Sequence, residues 1–207
     1  YKNNKKSNIN ILGEIKSKMN IFSNNCCSGF LFWKMGMKKY NHPLYWSGMK
    51  VDDFIKFMEN FNEIDLGDYT KIEYSTSKFN GTFVCDKNTR RYNMPAIRLN
   101  KFNIDVRFGH EEFVDFEQNY INRLERFNKK HKNIFILSTW VAQYDDDLLQ
   151  RFCNDTKHYK ILITGNKKFN KSLNNKKLLV INSSSFIEDA INKNIFTIKK
   201  FIHFGIF

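Results

Sequence analysis

The segment Asn133-Ile134-Phe135-Ile136-Leu137 is a short run of branched and aromatic residues. Such a run, without polar alternation, is typical of a strand that is buried on both faces of a parallel sheet. It is followed by Asp145-Asp146-Asp147, which opens a helix to about Cys153, and then by a second apolar run, Tyr159-Lys160-Ile161-Leu162-Ile163. Because parallel strands need a crossover between them, this order predicts an α/β unit.

Further elements extend from this unit in both directions. Downstream, we expect a strand at 178–181 and a helix over 183–192, and we make no assignment for 195–207. Upstream, Ile104–Phe108 alternates like a half-buried strand, and an aromatic stripe predicts a helix over 111–130. The alternating order of strands and helices from residue 104 onward predicts a three-layer α/β fold with a mainly parallel central sheet.

The first hundred residues give a mixed signal. A short buried strand is expected at 19–22, a helix from Cys26 or Cys27 to about 37, and a second helix that opens at Asp52-Asp53. A hairpin through Asn80-Gly81 would pair strands at 71–74 and 82–85. A further short strand is expected at 95–99.

Composition favours one domain. The chain has 207 residues, of which 42% are hydrophobic, so it can bury a core without disulfides or a structural metal. We expect a flexible lead-in over 1–18 and a single domain over 19–207, with no signal peptide and no membrane span. The four cysteines form no Cys-x-x-Cys pair, which argues against a zinc site and favours a reduced, cytoplasmic setting.

The net charge is +13, with 27 lysines and 27 asparagines. AT-rich codons favour this mixture, the lysines are dispersed, and no nucleic-acid-binding motif is present. We therefore do not expect a nucleic-acid partner. The charge is compatible with attraction to anionic substrates and with peripheral association with a membrane surface.

The turn Ser23-Asn24-Asn25-Cys26 leads from a predicted strand into a predicted helix. Backbone amides and the helix dipole at such a point favour an anion. They would lower the pKa of the Cys26 thiol and make it a nucleophile, or they would hold a substrate phosphate. The alternative is that a small cysteine simply packs at the helix start, which we expect of Cys27.

A thiolate nucleophile needs a base, and His110 is the best candidate because it follows a strand and precedes a helix. His42, in a turn beside Pro43, is the second. Arg123 could grip a phosphate or carboxylate, and the loop pair Tyr45-Trp46 could stack on a sugar ring. The acidic residues Glu111, Glu112 and 145–147 are most simply helix starts, so no metal centre is expected.

Several of these motifs, over roughly residues 19 to 165, resemble an uncharacterised bacterial family named for exopolysaccharide or capsule biosynthesis. The motifs are Ser23-Asn24-Asn25-Cys26 with Gly29, Tyr40-Asn41-His42-Pro43, Asp52-Asp53-Phe54-Ile55-Lys56-Phe57, 104–110, the arginine-bearing helix around 120–127, and Asn133-Ile134-Phe135-Ile136. The chain departs from that family at Cys27-Ser28, where Trp-Gly is usual. The family usually has a histidine two residues before the phenylalanine of the strand and a tyrosine after the later histidine. Here Arg107 precedes Phe108, and Glu111 follows His110.

A more distant resemblance is to a family of papain-like cysteine peptidases. In both, a cysteine starts a helix, a Pro-aromatic-Trp stretch follows (here Pro43, Tyr45 and Trp46), and a histidine precedes an arginine-bearing helix.

The first resemblance implies a cytoplasmic enzyme of surface-polysaccharide biosynthesis, a transferase that acts on a sugar or sugar nucleotide. Cys26 would be its nucleophile or anion cradle and His110 its base. The substrate would be bound by Ser23, Asn24, Asn25, His42, Tyr45, Trp46 and Arg123. Two alternatives stay open: a Cys-His thiol hydrolase of papain-like logic, and a non-catalytic glycan-related binding domain. Donor, acceptor and oligomeric state are not specified by the sequence.

Overall fold

The computed structural model describes residues 19–36, 42–75, 93–108, 115–139, 145–166, 169, 175–183, 185 and 187–204. These residues form two four-stranded sheets and five α-helices in a single α/β domain, as the sequence predicted. The expected lead-in over 1–18 lies outside them.

One sheet is entirely parallel, with strand order β1-β6-β7-β8. Its strands are β1 (Met19–Ser23), β6 (Lys132–Ser138), β7 (Tyr159–Thr164) and β8 (Leu178–Asn182). Isoleucines pair across it, with Ile21 beside Ile134 and Ile136 beside Ile161. The sheet is buried on both faces, which is why its strands are continuous apolar runs.

The helices cover the two faces of this sheet in different groups. The helices are α1 (Cys27–Lys34), α2 (Val51–Glu59), α3 (Phe116–Arg126), α4 (Asp146–Asn154) and α5 (Ile187–Phe204). Side chains of α1 and α5 pack on one face with Ile21 and Ile136. Those of α2, α3 and α4 pack on the other with Phe22 and Phe135. Two apolar cores on either side of one parallel sheet give the expected three layers.

The second sheet is antiparallel, with strand order β2-β5-β4-β3, and it joins the core that contains α2 and α4. Its strands are β2 (Ser47–Gly48), β3 (Tyr69–Ser75), β4 (Asn93–Leu99) and β5 (Ile104–Phe108). All seven residues of β3 pair with β4, which was not the partner expected from the sequence. The predicted strand at 82–85 lies outside the described residues, so its pairing with 71–74 stays a prediction. The strand β5 was expected in the parallel sheet but belongs to this one, because its backbone pairs with β2 and β4.

Two helices differ from their predicted bounds. The aromatic stripe of α3 is buried at Phe116 and Tyr120, as predicted, but the described helix begins at Phe116 rather than at 111. The last helix continues through 195–204, for which we made no assignment, because Ile198, Phe201 and Ile202 extend its buried stripe.

No helix in the described part of the chain combines the length and apolarity that a membrane crossing requires. The described cysteines, Cys26, Cys27 and Cys153, are thiols.

Candidate functional site

The carboxyl ends of β1 and β6 lie side by side in the parallel sheet. The two strands are neighbours, with Ser23 paired with Ile136. The chain leaves β1 into α1 on one face, whereas the helix that follows β6, α4, packs on the opposite face. Neighbouring parallel strands whose connections diverge in this way create the crevice in which open α/β sheets bind their ligands.

The side chain of Asn24 links the ends of the two strands. Its Oδ1 accepts a hydrogen bond from the Ser138 amide and its Nδ2 donates to the Ser138 carbonyl oxygen, both at 2.9 Å. Its own carbonyl oxygen accepts from the Met49 amide at 3.0 Å. The amide side chain therefore joins the end of β1 to the end of β6, which gives Asn24 a positioning role rather than an available donor.

Side chains of the turn occupy the first amides of α1. The Ser23 Oγ accepts from the Ser28 amide at 2.9 Å and donates to the Asn25 carbonyl oxygen. The Asn25 Oδ1 accepts from the Cys27 amide at 3.1 Å. The expectation that these two backbone amides would hold an anion is therefore wrong, because the loop already satisfies them.

Two polar atoms beside these bonds have no hydrogen-bond partner among the described residues, namely Asn25 Nδ2 and Ser28 Oγ. Asn25 is 5% exposed and Ser28 is fully buried. Buried donors almost always find a partner, so two such atoms within four residues are unusual.

Burial raises the pKa of the Cys26 thiol to about 11. A hydrogen bond to its own backbone and the positive charge of Arg107 act in the opposite direction but are weaker. The expectation of a lowered pKa is therefore wrong, because desolvation outweighs the effects that favour the thiolate. Burial also raises the pKa of Cys27, which is fully buried and packs in the core as predicted.

His42 is placed as a structural residue. Its Nε2 donates to the Ile21 carbonyl oxygen at 2.5 Å, and its Nδ1 accepts from the Leu44 amide at 3.1 Å. The ring packs against Phe22 and Phe32, and burial lowers its pKa to about 3. Both nitrogens are thus used by the backbone, and this neutral tautomer has neither one to offer a substrate.

Tyr45 and Trp46 are half-buried and pack edge to face, with ring centroids 5.6 Å apart. Trp46 has a φ of 57°, a left-handed conformation that is rare for so bulky a residue. Its indole lies on Gly29, where a Cβ atom would come within 2.3 Å of the ring. This contact explains the glycine in α1. It also places the ring of Trp46, which forms an aromatic wall with Tyr45, beside Ser28.

The remaining predicted residues are less closely tied to the crevice. Arg123 is 7% exposed. Its charge adds to the burial that lowers the pKa of His42 and opposes the burial that raises the pKa of Tyr45, so it lies near the loop that contains them. His110 lies outside the described residues, and its role as a base stays a prediction. The strand that precedes it, β5, ends beside Ser47, next to Trp46.

Two charged groups that sequence reasoning had not selected lie on β5 or against it, and one of them, Arg107, is close to the Cys26 turn. Arg107 is 5% exposed, pairs in register with Gly48, and acts on Cys26. Asp53, in the first turn of α2, accepts a hydrogen bond from the Asp105 amide, and burial raises its pKa to about 6. The alternation of β5 suggested a solvated arginine, and Asp53 resembled an ordinary helix start. No local signal could have selected Arg107, because only the tertiary fold brings β5 close to the Cys26 turn.

The acidic residues show no metal-binding arrangement within the described ranges. No group of three or more His, Cys, Asp or Glu side chains is gathered there. The Asp145 Oδ1 instead accepts from the Leu148 amide at 2.7 Å and caps α4, in line with the expected helix start.

Comparison with curated proteins gives no match. A family model, described as a domain of unknown function (DUF1919), matches residues 1–203, nearly the whole chain. The crevice, its polar turn and its aromatic wall all fall within the matched region. The chain therefore belongs to the DUF1919 family.

Proposed function

We propose that this chain is an enzyme of surface-polysaccharide biosynthesis, a transferase that acts on a sugar or sugar nucleotide. The observation on which this rests is the crevice between the carboxyl ends of β1 and β6. It combines the position at which α/β enzymes bind their substrates with buried polar groups and an adjacent aromatic wall. The link to exopolysaccharide and capsule comes from the resemblance of the Ser23–Cys26 and Tyr40–Pro43 motifs.

In this proposal the aromatic wall binds the apolar face of a sugar ring. Tyr45 and Trp46 are both half-buried, and Phe30 packs against Trp46 with centroids 5.1 Å apart. Because Gly29 and the neighbouring rings hold the indole in place, a ligand would meet a pre-organised surface.

We place this activity in the cytoplasm, where sugar nucleotides are made, with the protein held at the membrane surface where polysaccharide is assembled. The excess of 34 Lys and Arg over 21 Asp and Glu residues would favour such contact with anionic lipids.

The thiol-hydrolase alternative is supported less well. It requires a thiolate at Cys26, and the raised pKa of this thiol keeps it protonated at neutral pH. The non-catalytic alternative predicts that sugar nucleotides bind but do not react.

The test is incubation of the full chain with a panel of nucleoside diphosphate sugars, with and without oligosaccharide acceptors. Release of nucleoside diphosphate is followed by ³¹P NMR, and binding by quenching of tryptophan fluorescence. We expect release with one donor class, and loss of most of the quenching in Trp46→Phe but not in Trp33→Phe, because Trp33 lies on the exposed side of α1. Binding without release would support a binding domain, and the absence of both would contradict the proposal.

A further inference from the structure

The first turn of α1 and the residues before it contain hydrogen-bond donors that no described residue satisfies. Asn25 Nδ2 and Ser28 Oγ are buried and have no partner among the described residues. Leaving a buried donor unsatisfied costs free energy, whereas an apolar side chain of similar shape would avoid that cost. Their retention indicates a partner that is not part of the described chain.

Both atoms are placed at the same end of α1. The Asn25 Oδ1 is bonded to the Cys27 amide, so Nδ2, attached to the same carbon, also lies at the helix start. Ser28 is the second residue of the helix, and its amide is bonded to Ser23 Oγ at that end. The positive end of the helix dipole therefore adds to two neutral donors.

A positive charge lies close to this turn. The positive charge of Arg107 lowers the pKa of Cys26, which separates Asn25 from the helix, so the guanidinium lies close to the same turn. The first turn of α1 contains no acidic residue. An amide, a hydroxyl and a guanidinium around one helix start form a set of donors that matches the several acceptor oxygens of a phosphate.

We propose that Asn25, Ser28 and Arg107 bind a phosphate or diphosphate group at the start of α1. This inference rests on the proposed function in one respect, since it assigns the group to the diphosphate of a sugar-nucleotide donor. The sugar ring would then lie on the Tyr45–Trp46 side of the turn, where Trp46 covers Gly29.

The test is calorimetric titration of the full chain with inorganic phosphate and with pyrophosphate at constant ionic strength. Asn25→Asp keeps the acceptor for the Cys27 amide but replaces the donor Nδ2 by a charged oxygen. We expect it to weaken pyrophosphate binding at least about tenfold, and Ser28→Ala to weaken it several-fold. Asn192→Asp makes the same change of net charge on the exposed side of α5 and should leave the affinity unchanged. Pyrophosphate should bind more tightly than phosphate if the natural ligand is a diphosphate, and equal affinity would indicate a single phosphate group.

Three results would overturn the inference. Wild-type protein could fail to bind either anion, Asn192→Asp could weaken binding as much as Asn25→Asp does, or Ser28→Ala could leave binding unchanged. Ser28→Ala decides the matter if Asn25→Asp does not fold, since it removes only an atom without a partner among the described residues. Binding of pyrophosphate without turnover of any sugar nucleotide would contradict the proposed function and leave this site intact. Turnover of a sugar nucleotide with an unaltered KM in both variants would contradict this site and leave the proposed function intact.

Discussion

The two ends of the parallel sheet both bury polar side chains, but they satisfy them differently. At the amino end of β7, the fully buried Lys160 donates to the carbonyl oxygens of Phe152, Cys153 and Asp155 and lies 3.6 Å from the Asp155 carboxylate. Asn175 Nδ2 donates to two of the same carbonyl groups. These two side chains donate to carbonyl oxygens of the last turn of α4 and of the residue beyond it, so the cluster caps the C-terminus of that helix.

At the carboxyl end, the same sheet leaves Asn25 Nδ2 and Ser28 Oγ without partners in the described part of the chain. Polar groups that serve stability are saturated by the fold, whereas groups that serve a ligand remain available until it binds. This difference distinguishes a structural cluster from a candidate site at the two ends of one sheet. Five experiments test the difference.

The largest effect is expected at the saturated end, from Lys160→Met. This variant leaves three carbonyl groups and the Asp155 carboxylate without their common donor, and we expect it to lower the free energy of unfolding by about 3 to 5 kcal/mol. Urea denaturation measures the loss. The control is Lys157→Met, an exposed neighbour that should change stability by less than about 0.5 kcal/mol. Equal effects of the two variants would show that the cluster is not structural.

The second prediction concerns thiol reactivity at the carboxyl end. With a pKa of about 11, Cys26 should react with iodoacetamide on the order of a hundredfold more slowly at pH 7.5 than a thiol of ordinary pKa near 8.5. Mass spectrometry of the labelled peptides reads each cysteine separately. Cys153, whose pKa burial also raises to about 11, is an internal reference for a slow thiol. Rapid labelling of Cys26 alone would restore the thiol-hydrolase alternative.

Acid should destabilise the protein through His42, whose pKa is about 3 in the fold and about 6.5 when unfolded. The unfolded chain binds the proton first, so stability is lost as pH falls from 6.5 towards 3, by roughly 2 to 3 kcal/mol at pH 4.5. Asp53, with a raised pKa of about 6, acts in the opposite direction between pH 6 and 3.8. Urea midpoints of wild type and His42→Gln across this range isolate the histidine. A variant with an undiminished slope would contradict the assignment.

A smaller loss is expected from Gly29→Ala. The added Cβ would overlap the Trp46 indole, and relief of that overlap should cost about 1 to 3 kcal/mol and shift the tryptophan emission. Gly67→Ala is the matched control, because its nearest neighbour would be a carboxylate oxygen of Asp65 at 3.3 Å that can move away. If thermal unfolding finds both variants alike, the aromatic wall is not fixed by this contact.

The smallest effect on stability belongs to Ser28→Ala. Removing a buried hydroxyl that has no partner within the described ranges should leave the free energy of unfolding unchanged or raise it by up to about 1 kcal/mol. A loss above about 1 kcal/mol in chemical denaturation would place Ser28 with the structural groups and remove the contrast between the two ends.

Local patterns in the sequence were sufficient for most elements of the fold. The apolar runs at 133–137 and 159–163 predicted two strands of the parallel sheet because burial on both faces leaves no polar alternation. Pairing was harder to predict. β5 alternates like any half-buried strand, and nothing local says that it joins β2 and β4 rather than β6. Likewise, β4 pairs with β3 although residues 76–92 separate the two strands in sequence, and no local pattern predicts this pairing.

The position of the Ser23–Cys26 turn was predicted correctly, but the protonation state of its thiol was not. The Ser23–Cys26 turn does connect β1 to α1, yet the pKa of Cys26 depends on burial by residues distant in sequence. His42 was assigned to substrate because a turn histidine is usually accessible. Its actual partner, the Ile21 carbonyl oxygen, is 21 residues away. Arg107 is likewise buried near Cys26 through contacts that only the tertiary fold creates, so its sequence context does not predict this position.

The bond from His42 to Ile21 has a consequence for association between copies of the chain. β1 is an edge strand, and the outer groups of an edge strand can template the addition of a strand from another molecule. His42 occupies one such group, the Ile21 carbonyl oxygen, and the Met49 amide binds the Asn24 carbonyl oxygen just beyond the strand, so the segment 42–49 shields this edge. A protonated Nδ1 can no longer accept from the Leu44 amide, so acid loosens the shield. Acid near pH 3, the pKa of His42 in the fold, should therefore expose a strand-pairing surface at β1, where aggregation would begin.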